Sequence, residues 1–98
     1  MNAIMCQMYI FNFSSEKNKA LKSERGKGFE DAIGAIKDRR IIDIIKHPNQ
    51  EKYKGQNMYI LEIDNYAYVV PYIKDDDKKE IFLKTMFASR KMTAKYLR

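Results

Sequence analysis

The sequence predicts an α+β fold in which an antiparallel sheet carries two helices near the N-terminus and a short helix at the C-terminus. Before residue 41, one capping pattern and one run of apolar residues at helical spacing indicate two helices. Beyond residue 41, the apolar runs are rich in β-branched and aromatic residues, and an Asp64-Asn65 pair between two of them suits a tight hairpin. We expect the order β-α-α-β-β-β-β-α in a single domain, residues 1–98.

The N-terminal part is expected to form a strand and then a surface helix. Residues 4–13 are apolar or aromatic at all but two positions, which indicates a largely buried strand. Ser14 then offers a cap hydroxyl for a helix that ends near Arg25, before a Gly-Lys-Gly break. Since Ala20 and Leu21 are its only obvious core residues, this helix should depend on packing for its stability.

A second helix and a third element follow. The second helix is predicted by apolar residues at i, i+3, i+4, i+7 spacing, namely Phe29, Ala32, Ile33 and Ile36. The Ile-Ile-Asp-Ile-Ile segment, residues 41–45, either prolongs this helix or begins a strand. Its dense β-branching favours a strand that ends before His47.

The remaining elements are expected to be strands. A polar loop over residues 49–57 precedes two hairpin strands, residues 58–63 and 66–73. Pro71 lacks a backbone donor, so the second of these strands should be bulged there or have an open side. A turn containing three aspartates leads to a final strand, residues 80–88, and then to the C-terminal helix.

Composition narrows the classes of function. Nineteen Lys and Arg residues against thirteen Asp and Glu residues give a formal charge of +6, which favours polyanionic partners. No apolar run approaches the roughly 20 residues that span a bilayer, and we see no targeting pattern, so a cytoplasmic protein without a membrane partner is expected. One His and the single Cys6 cannot supply a tetrahedral metal site, and no cofactor is expected.

The C-terminal segment, residues 84–98, carries the strongest functional signal. Its sequence, K-T-M-F-A-S-R-K-M-T-A-K-Y-L-R, places cations and a tyrosine after an apolar strand. Such groups can bind a phosphodiester backbone, offset the charge that develops during cleavage and exchange protons. The segment therefore predicts RNA as the ligand.

Four motifs make the chain resemble the BrnT family of bacterial toxins. They are F-N-F-S-S-E-K-N-K near the start, G-F-E-D-A-I in the second helix, M-Y-I-L-E-I in a hairpin strand and F-L-K-T-M-F-A-S-R-K-M-T-A-K-Y-L at the end. The last motif is the most specific, and its small-residue, arginine and tyrosine positions fall on Ser89, Arg90 and Tyr96. Lys91 and Lys95 stand where the family usually has a second run of arginines.

The resemblance implies a single toxin domain with a RelE-like ribonuclease fold and a role in a type II toxin-antitoxin system. It implies an endoribonuclease that cuts messenger RNA by attack of a 2′-hydroxyl on the adjacent phosphate, which inhibits translation and growth. It also implies a hetero-oligomer with a small DNA-binding antitoxin, expected to be of ribbon-helix-helix type, and leaves a contribution of the ribosome open. Because no metal site is expected, the mechanism should be metal-independent.

Such a reaction needs a base, an acid and positive charge on the phosphate. Arg90 is the first candidate, since a guanidinium can hold two phosphate oxygens, although a surface ion pair with a carboxylate such as Glu80 would also explain it. Lys84 is expected on the same side of its strand as Glu80, Phe82 and Met86, on either an active face or a half-exposed sheet. His47 is the candidate base, because histidine ordinarily titrates near pH 6.5, or else a structural loop residue, and Glu51 is the reserve. Tyr96 either donates a proton or stacks on a base, or simply packs.

Further residues are candidates for binding RNA without taking part in the chemistry. Lys91 and Lys95 share a helical face and suit phosphates, while Lys52, Tyr53 and Lys54 interleave an aromatic ring with cations, a pattern that suits single-stranded RNA. Solvated surface charge explains both groups equally simply. The competing function is therefore a basic module that binds nucleic acid or protein without catalysis.

Overall fold

The computed structural model of the protein describes residues 9–97, and these confirm the α+β class. The elements, in chain order, are β1 (Ile10–Phe13), α1 (Ser15–Arg25), α2 (Phe29–Lys37), β2 (Ile41–Lys46), β3 (Asn57–Ile63), β4 (Tyr66–Asp75), β5 (Glu80–Leu83), β6 (Phe87–Ala88) and α3 (Arg90–Tyr96). Cys6 and the first part of the predicted N-terminal strand lie outside the described residues.

The sheet is mixed, so the prediction of a purely antiparallel sheet is wrong. Its strand order is β1-β5-β4-β3-β2, with β6 also paired to β4. Strands β2 to β5 form an antiparallel meander, whereas β1 runs parallel to β5. The two helices carry the chain from β1 to the far edge at β2, and the meander returns strand by strand. As a result, β5 lies beside β1 and runs in the same direction as that strand.

The two N-terminal helices are joined by a buried asparagine. Ser14 caps α1 by accepting a hydrogen bond from the backbone N–H of Lys17, and Gly26 ends that helix with a φ of 73°. The Oδ1 atom of Asn18 accepts from the N–H of Phe29 at 2.7 Å. Its Nδ2 atom donates to the Glu30 carboxylate at 2.9 and 3.0 Å. Asn18 thus caps α2 from the neighbouring helix.

The core residues of α1 differ in part from those expected. Leu21 is buried as predicted, but Ala20 is exposed and the polar Asn18 is buried in its place. Asn18 lies one helical turn before Leu21, on the side that faces α2. The polar side chain is tolerated there because both of its functional groups are hydrogen-bonded.

Different helices cover the two faces of the sheet. The front face packs against α1 and α2, and its buried core includes Phe29, Ala32, Leu61, Val70 and Leu83. The back face packs against α3, and its buried residues are Met58, Ile60, Ala67 and Val69, with Met92 and Tyr96 of α3 packed on them. The seven residues of α3 leave part of the back face open, where Ile73 and Phe87 are each 39% exposed.

Pro71 has an open side, which is one of the two outcomes predicted from its missing donor. The backbone N–H of Lys84 donates to the Pro71 carbonyl at 2.8 Å, so the side of Pro71 that lacks an N–H faces the gap between β5 and β6. Residues 84–86 there oppose residues 70–71, which is one residue more than a regular ladder holds.

The extra residue changes the alternation of side chains. Met86 is 2% exposed and belongs to the front core with Leu83, so the expectation that it shares a side with Lys84 is wrong. The predicted continuous strand over residues 80–88 is therefore two short strands.

The hairpin prediction is confirmed, since Asp64 and Asn65 have φ angles of 54° and 64°. Within residues 9–97, no helix has the length and hydropathy that a membrane span requires.

Candidate functional site

Helix α3 is capped by Ser89 and is fixed to the back face by side-chain hydrogen bonds of Thr93 and Tyr96. Ser89 caps it by accepting from the N–H of Met92 at 3.1 Å. The buried Thr93 hydroxyl accepts from the N–H of Ala67 at 2.9 Å and donates to the Ser89 carbonyl at 2.8 Å. At its last turn, the Tyr96 hydroxyl donates to Asp43. A helix of seven residues is too short to be stable alone, so these contacts determine its place.

Arg90 is the first residue of α3, and its side chain is exposed. Among residues 9–97, its guanidinium has no hydrogen-bond or ion-pair partner. Glu80, the carboxylate expected to pair with it, instead accepts a hydrogen bond from Asn12 at 3.0 Å. A cation in the first turn of a helix is also unfavourable to the helix dipole. Folding therefore leaves Arg90 available for an external anion.

Lys84 and Arg90 lie on the same flank of β4, but they are separated from each other along the sheet. Its backbone bonds to Pro71, whereas the N–H of Ser89 bonds to the carbonyl of Ala67, four residues earlier in β4. At the usual strand rise, this separates the two backbone positions by about 13 Å. The spacing suits two different phosphates of one strand better than a single phosphate. The half-exposed Phe87 lies between them in sequence.

Tyr96 occupies the packing role rather than an open catalytic position. Its ring packs against the back-face core, and its hydroxyl donates to Oδ2 of Asp43 at 2.7 Å. This hydrogen bond, with a second one from the N–H of Ile44, lowers the pKa of the Asp43 carboxyl, and the charge of Lys95 adds to the effect. Lys91 and Lys95 are both exposed on α3, and the Lys95 ammonium lies 5.1 Å from the Tyr96 ring centroid.

His47 belongs to a separate group of residues in the loop between β2 and β3. Its Nδ1 atom accepts from the N–H of Asn49 at 3.1 Å, and its ring centroid lies 4.2 Å from that of Tyr53. Lys52 places its ammonium 5.3 Å from the Tyr53 ring centroid. Glu51 and Lys54 are exposed in the same loop.

The structure thus brings the predicted site residues together in two groups, not one. The α3 group contains Lys84, Arg90, Lys91, Lys95 and Tyr96, and the loop group contains His47, Glu51, Lys52, Tyr53 and Lys54. His47 follows Asp43 by four residues and lies just beyond the end of β2. It is about 13 Å from the point where α3 ends. Arg90 is at the other end of α3, about 10 Å across the sheet from the last turn of that helix. His47, the candidate base, is therefore not adjacent to Arg90, the candidate phosphate-binding residue.

A cavity of about 260 Å³ opens on the front face, away from both groups. Its lining combines isoleucines with aromatic side chains, namely Tyr9, Phe11 and the stacked pair Tyr59 and Tyr72, whose ring centroids are 4.1 Å apart. Burial raises the pKa of the Tyr72 hydroxyl. None of the predicted site residues lines this cavity.

Sequence reasoning missed two residues that position the α3 group. Asp43 receives the Tyr96 hydroxyl, and Thr93 holds α3 to β4. The signal for Asp43 is a single acid within an otherwise apolar Ile-Ile-Asp-Ile-Ile strand. Thr93 gives no comparable signal, because threonine is common on exposed helix faces and only the packed structure shows that it is buried.

No group of three or more His, Cys, Asp and Glu residues in the described part of the chain could hold a metal ion. Comparisons with protein-family models, curated proteins and solved structures found no match for this chain. The geometry and the sequence motifs therefore carry the functional argument by themselves.

Proposed function

We propose that the protein is a cytoplasmic, BrnT-like toxin with a RelE-like ribonuclease fold, which binds single-stranded messenger RNA across its back face and cleaves it. One observation supports this proposal above the others. Arg90 is an exposed, unpaired guanidinium, among the described residues, at the start of a helix that hydrogen bonds of Thr93 and Tyr96 fix to the sheet. A side chain that binds phosphate in a transition state needs rigid support of this kind.

Arg90 would stabilise the extra negative charge as the substrate's 2′-oxygen attacks the adjacent phosphorus. The new P–O2′ bond replaces the P–O5′ bond, which leaves a 2′,3′-cyclic phosphate and a 5′-hydroxyl. The proton of the 2′-hydroxyl is lost to a base, and the departing 5′-oxygen gains one. A preorganised positive donor of this kind typically contributes about 10² to 10³ in rate. Lys84, Lys91 and Lys95 would hold neighbouring phosphates.

The proton transfers are assigned to water and solvent ions. Tyr96 already donates its hydroxyl proton to Asp43, and His47 lies in the loop group rather than beside Arg90. Without a positioned acid and base, cleavage by the isolated chain should be slow, since each such group typically contributes about 10² to 10⁴ in rate. A ribosome-bound substrate would be one source of the missing groups.

The second candidate is a basic module that binds RNA without cutting it. The separation of His47 from Arg90 favours this function, because binding needs the exposed cations but no acid–base pair. Both candidates predict RNA affinity that falls with salt, with a slope of roughly 0.7 for each phosphate neutralised on a single strand. Only the toxin predicts a cleaved product.

An antitoxin partner belongs to the toxin proposal. A small DNA-binding antitoxin, of ribbon-helix-helix type, would neutralise the toxin in a hetero-oligomer by covering the α3 group. Co-expression with the neighbouring small open reading frame, followed by co-purification, tests this pairing. A gene without such a neighbour would count against it.

The deciding experiment compares growth and RNA integrity after induced expression of three chains. The native chain should arrest growth, and Arg90→Ala should relieve the arrest. Arg25→Ala is the matched control, since Arg25 is an exposed arginine at the end of α1. It should arrest growth like the native chain.

The purified native chain is then incubated with messenger RNA, with and without ribosomes, and the product ends are analysed. Fragments with 2′,3′-cyclic phosphate ends that disappear with Arg90→Ala support the toxin. Intact RNA in both reactions, together with salt-dependent binding that Arg90→Ala weakens, supports the binding module instead. Growth arrest by Arg90→Ala equal to that of the native chain contradicts the assigned role of Arg90.

A further inference from the structure

The loop between β2 and β3 presents two aromatic rings at the protein surface. His47 and Tyr53 have ring centroids 4.2 Å apart and an interplanar angle of 31°. Both residues are half-buried, so each ring keeps part of its surface in solvent. Neither residue belongs to either core cluster of the sheet. The ring pair is therefore not explained by packing of the core.

A network of hydrogen bonds fixes the loop. The Gln50 side-chain amide donates to the His47 carbonyl at 2.7 Å and to the Gln56 carbonyl at 3.2 Å, and its oxygen accepts from the N–H of Gly55 at 3.3 Å. The N–H of His47 donates to the Gln56 carbonyl at 3.0 Å, and that of Tyr53 to the Asn49 carbonyl at 2.9 Å. The rings are held in place before any ligand arrives, which lowers the entropic cost of binding.

The loop is also longer than the connection requires. Antiparallel neighbours such as β2 and β3 are commonly joined by about two to five residues, whereas this loop occupies residues 47–56. The added residues build the ring pair and the Gln50 network. Long ordered loops on a rigid sheet are frequent positions for binding sites.

Positive charge surrounds the rings. Lys46, just before the loop, and Lys52 and Lys54 within it are exposed, against the single acid Glu51. The Lys52 ammonium lies 5.3 Å from the Tyr53 ring centroid. Aromatic rings with adjacent cations are what proteins use to bind single-stranded RNA, because a base stacks on the ring while a cation binds the phosphate.

Strand β2 connects this loop to the α3 group. Asp43 of β2 holds the last turn of α3 through Tyr96, and His47 follows four residues later in the chain, just beyond the end of that strand. The exposed Lys95 and the ring pair are therefore separated by little more than the length of these four residues, about 13 Å. One extended RNA strand can contact both groups.

We propose that the His47–Tyr53 ring pair is a stacking site for an unpaired RNA base, which holds the substrate at a second point beside the α3 group. This inference rests on the proposed action on RNA and gives His47 a positioning role in place of the predicted role as general base. The ligand class is single-stranded RNA with at least one unstacked base.

Tryptophan fluorescence tests this site directly. The chain contains no tryptophan, so Tyr53→Trp introduces one fluorophore at the ring pair. We expect a 2′-O-methyl uridine decamer, which cannot be cleaved by 2′-hydroxyl attack, to quench this fluorescence, and an abasic decamer of the same charge not to quench it. Tyr66→Trp is the control, because Tyr66 precedes Ala67 of the back face by one residue, which places its side chain on the front face, away from both groups. Its fluorescence should stay unchanged.

Binding affinities separate stacking from phosphate contact. Tyr53→Ala should weaken binding of the uridine decamer roughly 10-fold with an unchanged salt slope, and Tyr53→Phe should keep most of the affinity. Lys91→Ala should lower the salt slope by roughly 0.7. The stacking site is overturned if the fluorescence of the Tyr53→Trp variant is unquenched and Tyr53→Ala binds with native affinity. If Lys91→Ala still lowers the salt slope in that case, the proposed function stands. If the native chain binds neither decamer, with or without ribosomes, both proposals fail.

Discussion

The Tyr96 hydroxyl donates a hydrogen bond to Oδ2 of Asp43 over 2.7 Å and so ties the last turn of α3 to the edge strand β2. The contact joins two residues that are 53 positions apart in sequence. With the Thr93 contact to Ala67, it holds the middle and the last turn of a helix that would not form alone. Arg90, Lys91 and Lys95 therefore depend on this tether for their arrangement.

Loss of the Tyr96 tether should destabilise the protein in a pH-dependent way. Tyr96→Phe keeps the ring but removes the hydroxyl, and at pH 7 it should lower the melting temperature by about 4 °C. The hydrogen bond lowers the pKa of Asp43, so its contribution is present above the ordinary aspartate value, about 3.9, and is lost as the pH falls through the lowered value. The difference between native and variant should therefore shrink at pH 3.

Thermal unfolding followed by circular dichroism at pH 7 and pH 3 measures both effects. Tyr66→Phe serves as the control, because Tyr66 contributes no hydroxyl hydrogen bond among the described residues. A Tyr96→Phe melting temperature equal to that of the native chain at pH 7 would show that the tether carries no stability.

Alanine at two glycines should have opposite effects on stability. A Cβ atom at Gly28 would lie 2.5 Å from Oδ1 of Asn18 and 2.9 Å from two carbons of the Lys22 side chain. Because that Asn18 oxygen caps α2, Gly28→Ala should lower the free energy of unfolding by about 1 to 3 kcal/mol. At Gly34, within α2, a Cβ atom meets nothing within 4 Å, so Gly34→Ala should raise it by about 0.5 to 1 kcal/mol.

Urea unfolding of the two alanine variants gives both values on one scale. A Gly28→Ala variant as stable as the native chain would mean that Asn18 moves aside without losing its role as the cap. Equal changes in both variants would point to a general effect of alanine rather than to the contact with Asn18.

The Thr93 hydroxyl should matter more than the shape of its side chain. Thr93→Val leaves the N–H of Ala67 without its hydrogen-bond acceptor at a buried position, which should cost about 1 to 3 kcal/mol. Thr93→Ser retains the hydroxyl and should cost less. Chemical denaturation compares the two, and a valine variant that is more stable than the serine variant would contradict the importance of this hydrogen bond.

Lys84 should contribute to RNA affinity but not to stability. Its side chain is exposed at the strand break, so Lys84→Ala should leave the melting temperature unchanged and lower the salt slope of RNA binding by roughly 0.7. Lys78→Ala is the matched control, because Lys78 is an exposed lysine in the turn between β4 and β5. Fluorescence anisotropy with a labelled decamer at several salt concentrations would detect the difference. Equal slopes for the two variants would remove Lys84 from the RNA surface.

Local signals in the sequence predicted the elements well. Ser14 caps α1, and Asp64 and Asn65 take the positive φ angles of the hairpin. Pro71 has an open side, facing the gap between β5 and β6, as one of the two predicted outcomes. Each of these predictions depends on the chemistry of one residue and its immediate neighbours, which the sequence contains in full.

Features that depend on distant contacts were predicted less well. Asn18 rather than Ala20 is buried in α1, because its partners Phe29 and Glu30 belong to another helix. The side-chain alternation near Met86 shifts by one residue at the strand break, which reverses the face expected for it.

The amino-acid sequence by itself determined the α+β class, the order of the elements and the excess of positive charge, because periodicity, capping and turn chemistry act over a few residues. Only the tertiary structure decided that β1 runs parallel to β5, that Arg90 has no partner within residues 9–97 and that His47 lies in a different group from Arg90. The physical reason is that these relationships arise where the sheet brings distant segments together, and no local pattern specifies which segments meet.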